Sequence, residues 1–452
     1  MKRYYAPPET FSKELGPDYF AVVNPFVRLP VSVITARARD ILIFFKTGRT
    51  RQDCYERFAG HSKAELDNVI REFLKAQLLF TTPRPKFGPP AMTAIAAWLH
   101  ITNRCNLKCK YCYLEHTDED MSEATAVRVV DSLFRSVRKR GIRQVLIKFA
   151  GGEAILNYPT VFKAIRQADK KAREVGRSSR REVRVRYQLL TNGVNFPAQV
   201  IDELRTHQVH LLISLDGLER SNDAQRVFPD GKGTFRRIMD TLDRLRSSGI
   251  AYSFSTVVSA LNVAGLPELL DFYLKNDLPF VIDFYRENPC SRTDPSLNLD
   301  EGEFLSQMRK ALRVVERYLP RQPLLGSLLD LTKLDFPHPR ACGVGQDYLV
   351  FDERGKIARC QMALRHVVST CDSQDPLSDV RKDRTGIQNQ SVDEKKSCRR
   401  CLWRYYCAGG CPFLAKERPG SYGGRSRFCR IFQELVPEII RLEGLRLLKW
   451  AA

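Results

Sequence analysis

Cys105, Cys109 and Cys112 stand at the spacing Cys-x3-Cys-x2-Cys, inside the stretch Thr102-Asn103-Arg104-Cys105-Asn106-Leu107-Lys108-Cys109-Lys110-Tyr111-Cys112-Tyr113. Three thiols on so short a loop can turn toward one point, and three thiolates suit an iron–sulfur cluster that keeps one iron without a protein ligand. An iron left open is a place for chemistry. A structural zinc site is the competing use of the same residues. Zinc, however, takes four protein ligands, commonly as Cys-x2-4-Cys pairs, and no fourth donor sits at such a spacing here. A second constellation follows: Cys342-x12-Gly355-x4-Cys360, then Cys398-x2-Cys401-x5-Cys407-x3-Cys411, and finally Cys429. Cys398 and Cys401 can supply half of a zinc ribbon, but seven thiols in this order make a more specific pattern than one ribbon needs. Cys54, Cys290 and Cys371 are assigned no role, since isolated cysteines are most often small buried hydrophobes.

Between the two constellations lie short polar motifs. Phe149-Ala150-Gly151-Gly152-Glu153 offers two glycines, which let backbone approach a ligand closely, and a carboxylate able to hold an ammonium group. Further on come Thr191-Asn192-Gly193, then Ser214-Leu215-Asp216-Gly217, then Arg226, whose planar fork matches a carboxylate. Taken one at a time, Asn-Gly and Asp-Gly are turn dipeptides. Asp283 and Glu287 are candidates for a catalytic base by location only, and surface ion pairing is the commoner role for such residues.

The elements that must carry these motifs alternate regularly. Strand patterns at 95–101, 145–149, 183–190, 209–214, 252–258 and 280–285 are separated by helical patterns at 122–137, 160–173, 196–206, 235–247 and 266–276, the rhythm of parallel βα units. In parallel barrels chemistry sits at the carboxyl ends of the strands, and the first cysteine loop, Gly151-Gly152-Glu153, Thr191-Asn192-Gly193 and Ser214-Leu215-Asp216-Gly217 follow the first four of these strands. A basic run from Lys170 to Arg186 reads as a solvated loop that interrupts the helix before the third strand. Its lack of interleaved aromatics gives little support for nucleic-acid stacking.

Residues 1–90 read as a separate unit. Strand patterns at 19–23 and 26–29 flank Asn24-Pro25, and a helix capped by Thr35 runs to Gly48. A short helix at 50–58 follows, and Ser62-Lys63-Ala64-Glu65 is a capping box opening a third helix with Leu66, Val69, Ile70, Phe73 and Leu74 on one face. Strands followed by three helices suggest a winged helix-turn-helix. The proline-rich stretch 83–90 is a linker, residues 91–320 hold the βα units, and 321–452 form a cysteine-rich region ending in an amphipathic helix at 432–450.

The 452 residues carry a net charge of +21, so an acidic partner is expected: an acidic peptide, nucleic acid or an anionic membrane surface. Thirteen cysteines without a signal-peptide pattern argue for reduced thiols in a cytoplasmic chain. No apolar run is long enough to cross a bilayer.

The first cysteine spacing, with Tyr111 before its last cysteine and an apolar strand before its first, resembles the signature of the radical SAM superfamily. The order of Gly-Gly-Glu, Asn192, Ser214 and Arg226 on successive strands resembles that family's cofactor site. The resemblance implies an α/β fold with a partial (β/α)6 TIM-type barrel and a [4Fe-4S] cluster on Cys105, Cys109 and Cys112. It further implies S-adenosylmethionine held by Tyr111, Gly151, Gly152, Glu153, Asn192, Ser214 and Arg226, with Glu153 on the amino group and Ser214 and Arg226 on the carboxylate. The reaction so implied reduces the sulfonium by one electron and yields a 5′-deoxyadenosyl radical.

The later cysteines resemble the SPASM extension, which implies two auxiliary [4Fe-4S] clusters. One would be held by Cys398, Cys401, Cys407 and Cys429, the other by Cys342, Cys360 and Cys411. The second set lacks a fourth protein ligand, to be left open, taken by His338 or Cys290, or supplied by substrate. The first unit resembles the leader-peptide recognition domains of peptide-modifying systems, which bind an extended peptide at a sheet edge. Together these resemblances imply a peptide maturase acting on a precursor with an acidic leader, fed by an electron donor such as flavodoxin or ferredoxin. The alternatives are a protein maturase of the anaerobic sulfatase-maturing type and, less favoured, a zinc-stabilised nucleic-acid-binding protein.

Overall fold

The computed structural model describes residues 2–27, 31–83, 93–415 and 422–450. Six strands lie side by side, parallel and in chain order: Ala94–Thr102, Gln144–Gly151, Arg184–Thr191, His210–Ser214, Tyr252–Val258 and Phe280–Phe284. Along Gln144–Gly151, Val145, Ile147 and Phe149 are fully covered, while Leu146 and Lys148 on the other face are half-buried. This period of two sets one face against the connecting helices and leaves the other, with its polar groups, for the interior.

The helices Glu123–Arg140, Tyr158–Ser179, Ala198–Thr206, Phe235–Ser248 and Leu266–Lys275 connect these strands, and Glu301–Tyr318 follows the last. Glu123–Arg140 starts where Ser122 accepts the Thr125 amide and stops at left-handed Gly141. Its Val129, Val130, Leu133, Phe134 and Val137 recur at helical spacing and are buried.

The expected order of six parallel strands is thus found, and the sheet extends beyond it. Tyr348–Phe351 pairs in parallel with Ala94–Thr102, and Lys356–Ala358 and Val367–Thr370 continue antiparallel, giving nine strands. The cysteine-rich region therefore shares hydrogen bonds with the strand that leads into the first cysteine loop.

Near the amino terminus, Phe11–Glu14, Tyr19–Val23 and Ser32–Thr35 form an antiparallel sheet, followed by helices Ala36–Phe44, Arg51–Arg57 and Lys63–Lys75. Tyr19–Val23 has two buried faces. Phe20 and Val22 join Ile41, Phe45, Leu66, Ile70 and Phe73 in a local core, whereas Ala21 and Val23 belong to the large core. There the carboxyl-terminal helix Cys429–Trp450 brings Gly444 close to Ala21 and Leu15. Both bonds of the Ser62–Glu65 capping box are present. Ser62→Ala removes the acceptor for the Glu65 amide and is expected to lower stability by about 1 kcal/mol, read as a lower denaturation midpoint with unchanged slope.

Three expectations need correction. Phe26 and Val27 lie in a turn rather than a strand, because Asn24 Oδ1 accepts the Phe26 amide while its Nδ2 reaches the Gln77 carbonyl at 2.7 Å; Arg28 and Leu29 lie outside the described residues, as do 84–90 of the expected linker. The basic run does not interrupt its helix. Tyr158–Ser179 continues through Lys170, Lys171 and Arg177 to left-handed Arg180, since Lys, Arg and Glu are strong helix formers and Val175 is buried on the inner face. The last helix begins at Cys429 rather than at 432, so one expected ligand opens it. Among the described residues no helix is long and apolar enough to cross a membrane.

Candidate active site

The loop bearing Cys105, Cys109 and Cys112 leaves the end of the first parallel strand and is clamped by backbone from two sides. Gly152 donates to the Thr102 carbonyl at 2.8 Å and Glu153 to the Arg104 carbonyl at 2.9 Å. On the other side, the amides of Lys108 and Lys110 reach the carbonyls of Val227 and Gln225, at 2.8 and 2.9 Å. The Gly-Gly pair is needed for the first clamp. A methyl group on Gly152 would overlap the Arg104 carbonyl, and one on Gly151, whose φ is +146°, would overlap that of Thr102. Close approach is thus made to the cysteine loop itself, where the sequence suggested approach to a ligand. Arg104, ion-paired to Asp120, which also bonds Thr102, fixes the loop's start.

Glu153 is 1% exposed, yet its carboxylate is well held: the Asn192 amide donates to Oε2 at 2.7 Å and the Ile155 amide to Oε1 at 3.2 Å. Burial pushes its pKa up to about 7, against those bonds. Asn192 joins the site through Nδ2, 2.7 Å from Asn106 Oδ1 and 4.0 Å from Cys105 Sγ. Ser214 ends the fourth parallel strand, half-buried.

Arg226 is 4% exposed. Its Nη1 donates to the Tyr111 hydroxyl at 2.5 Å and lies 3.6 Å from Asp216 Oδ2, to which Tyr111 also donates at 2.7 Å. Its Nε is buried without a partner. Asp216 is therefore a member of the site that sequence reasoning missed; its only signal was an Asp-Gly dipeptide. Its other oxygen accepts the Val257 amide at 2.8 Å, so it belongs to the strand ends and orients both Arg226 and Tyr111.

Beside the loop lies a pocket of about 570 Å³, lined by Cys109, Cys112, His116, Phe228 and Cys290 among others. His116 Nε2 is 3.6 Å from Cys112 Sγ, and the Cys290 thiol faces the Tyr113 carbonyl at 3.5 Å. Cys290, considered above as a ligand for the later cysteines, thus stands with the first loop.

The donor set suits an iron–sulfur cluster. Burial pushes the Cys105 thiol up to about 12 and raises Cys109 and Cys112 too, so a bound cation is what turns them into thiolates. The three thiols act on one another electrostatically. Among the described residues no three His, Cys, Asp or Glu side chains are arranged to hold a single metal ion.

The later cysteines fall into two groups. Cys407 is raised by burial and by Cys401, Cys398 and Cys429, and Cys429 by burial, Cys401 and Cys398. Cys342 and Cys360 are raised by burial and then by Cys411. Asn389 Nδ2 sits 3.5 Å from Cys342 Sγ. His338 is buried, with Nδ1 3.4 Å from the Phe336 carbonyl and Nε2 without a partner. Between these groups and the strand ends, Arg286 pairs with Asp330 at 2.6 Å and bears on Cys411, and Asp283 accepts from Ser255 at 3.2 Å. The residues next to Asp330 gave no motif that pointed to it.

Residues 99–273 match the Radical SAM superfamily. The chain is 20% identical over 287 residues to the radical SAM cyclopropyl synthase TigE of Paramaledivibacter caminithermalis, covering 58% of this chain and 56% of that protein. It thus spans just over half that relative's length. Its fold is like that of anSMEcpe with bound AdoMet and Cp18Cys peptide: TM-score 0.61 at 16% identity, over 78% of this chain and 99% of that one. It is also like SuiB of Streptococcus suis bound to precursor peptide SuiA: TM-score 0.51 at 16% identity, over 94% of this chain and 100% of that one.

Proposed function

We propose, starting from the radical SAM domain that residues 99–273 form, that this enzyme oxidatively crosslinks a ribosomally made precursor peptide. The observation that carries the reading is the convergence of the three-thiol loop with Glu153, Asn192, Tyr111 and Arg226 at the carboxyl ends of parallel strands.

In this reading Cys105, Cys109 and Cys112 hold the first cluster. Cys398, Cys401, Cys407 and Cys429 hold one auxiliary cluster, and Cys342, Cys360 and Cys411 the other. A [4Fe-4S] cluster held by Cys105, Cys109 and Cys112 would supply the one-electron reduction that S-adenosylmethionine needs for its carbon–sulfur bond to break. The chain's own groups position that reaction. Glu153 receives the ammonium, its oxygens oriented by the Asn192 and Ile155 amides. Arg226, oriented by Asp216 and Tyr111, presents Nε and its remaining N–H groups to the carboxylate, to which Ser214 at the end of the fourth parallel strand is also assigned. Burial of these groups excludes water and strengthens each electrostatic contact.

Residues 1–90 are read as the peptide clamp, 91–320 as the catalytic barrel and 321–452 as the auxiliary cluster unit. Among the described residues Ser32–Thr35 pairs only with Tyr19–Val23, and an extended peptide can add to its other side. The chain's net charge of +21 favours an acidic leader. An electron donor such as flavodoxin or ferredoxin completes the system.

The test is anaerobic incubation of the reconstituted full-length enzyme with S-adenosylmethionine, a reductant and peptides encoded beside its gene, read by mass spectrometry. Loss of two hydrogens per bond formed, with fragment ions missing between the joined residues, is expected. An aldehyde on a single Cys or Ser would assign the chain to the sulfatase-maturing type instead. Zinc without acid-labile sulfide in the purified protein would return the nucleic-acid reading.

A further inference from the structure

Lys395 is 1% exposed, and its Nζ is buried without a hydrogen-bond partner. An ammonium stripped of water and left alone costs several kcal/mol, so such a group is normally retained against an anion. Among the described residues no carboxylate bonds to it. What lies against it is the loop of Cys398. Its carbonyl accepts the amides of Cys398 and Arg399, at 2.9 and 3.0 Å, folding the lysine back over the Cys398 loop. At Gly409, where φ is +75°, the position a Cβ would take lies 2.8 Å from Lys395 Nζ and 3.5 Å from Cys398 Sγ. Glycine there leaves the ammonium its room between the Cys398 thiol and the turn after Cys407.

Burial lowers the proton affinity of this amine, and Cys398, Cys407, Cys342 and Cys411, two from each later set of thiols, act in the opposite sense. As bare thiols these give the ammonium nothing to pair with. As thiolates of iron–sulfur clusters they supply the missing anions.

We infer that Lys395 is a fixed positive charge shared by the two auxiliary cluster sites, where it raises the reduction potential of both. The inference rests on reading the seven later cysteines as two cluster sites. Its physical basis is that net charge and hydrogen bonds to the sulfurs set the potential of a cluster. A cation stabilises the reduced, more negative state more than the oxidised one. Because thiols of both sets act on the buried ammonium, one residue moves both couples in the same direction. Lys395 is thus a positioning residue for charge and touches no substrate.

The test uses full-length, reconstituted enzyme and the Lys395→Met variant, a side chain of similar length without charge. Iron and sulfide are counted, and the cluster couples are titrated while followed by electron paramagnetic resonance. The expected result is a shift of both auxiliary couples to lower potential, an unmoved couple for the cluster on Cys105, Cys109 and Cys112, and wild-type values in Lys395→Arg. Full iron content with both auxiliary couples unmoved overturns the inference. So does a shift of one couple alone. Should Lys395→Met fail to load iron, Lys395→Gln, which keeps a donor without charge, is titrated instead, and wild-type potentials there overturn the inference as well. Wild-type protein carrying only about 4 iron atoms, one cluster's worth, would instead sink the two-cluster reading, which separates the two failures.

Discussion

Triple replacement of Cys105, Cys109 and Cys112 by alanine is expected to abolish release of 5′-deoxyadenosine while leaving the chain folded. The two halves of that result have separate physical causes. The loop's position comes from backbone bonds that the substitutions do not touch: Gly152 and Glu153 on Thr102 and Arg104, and Lys108 and Lys110 on Val227 and Gln225. Each alanine deletes one sulfur from a site of which Cys105 and Cys109 only border the large core, so the destabilisation is that of modest cavities. The chemistry, in contrast, has no substitute. His116, 3.6 Å from Cys112, and Cys290 line the same pocket, and two donors of different kind do not replace three thiolates. Iron is expected to fall from about 12 to about 8 atoms per chain, the difference being one four-iron cluster. Chromatography of the nucleoside product, with iron and sulfide counts, reads both. Release at the wild-type rate would falsify the assignment of this loop.

The local part of this arrangement was legible in the sequence because the devices that build it are local. Cysteine spacing encodes a loop, the Ser62–Glu65 box encodes a helix start, and alternating apolar residues encode buried strands; all three appear where they were read. Errors arose where the deciding partner is distant. Ser32–Thr35 is a four-residue strand with no buried residue, and pairing with Tyr19–Val23 makes it one. Lys170 to Arg177 look like a solvated loop by charge, but Val175 supplies the single buried contact that keeps the helix going. Asp216 became visible only through Arg226 and Tyr111, ten and more than a hundred residues away. Lys395 has no sequence signature at all, since a lysine beside Lys396, Arg399 and Arg400 reads as one more surface charge.

Glu153→Gln is expected to weaken S-adenosylmethionine binding about 10- to 100-fold, the worth of roughly 1.5–3 kcal/mol for a hydrogen bond to a charged group in a buried site. The native carboxylate accepts from the Asn192 amide on one oxygen and the Ile155 amide on the other. A glutamine must turn its NH2 toward one of those donors, so the substitution removes the charge and upsets the orientation together. The pH dependence separates this from a merely structural defect. Burial raises the Glu153 carboxyl from 4.5 to about 7. Because the folded value is raised, the carboxyl's contribution to the stability of the free protein is fully present below 4.5 and is lost as pH rises through 7. A bound ammonium offsets that loss, because it needs the ionised form. Affinity should therefore rise as pH passes 7, then fall as the cofactor's amino group loses its own proton near about 8. Glu153→Gln should lack the rising limb and keep the falling one. Anaerobic equilibrium dialysis between pH 6 and pH 9 distinguishes the outcomes, and parallel profiles for the two proteins would remove Glu153 from the ammonium site.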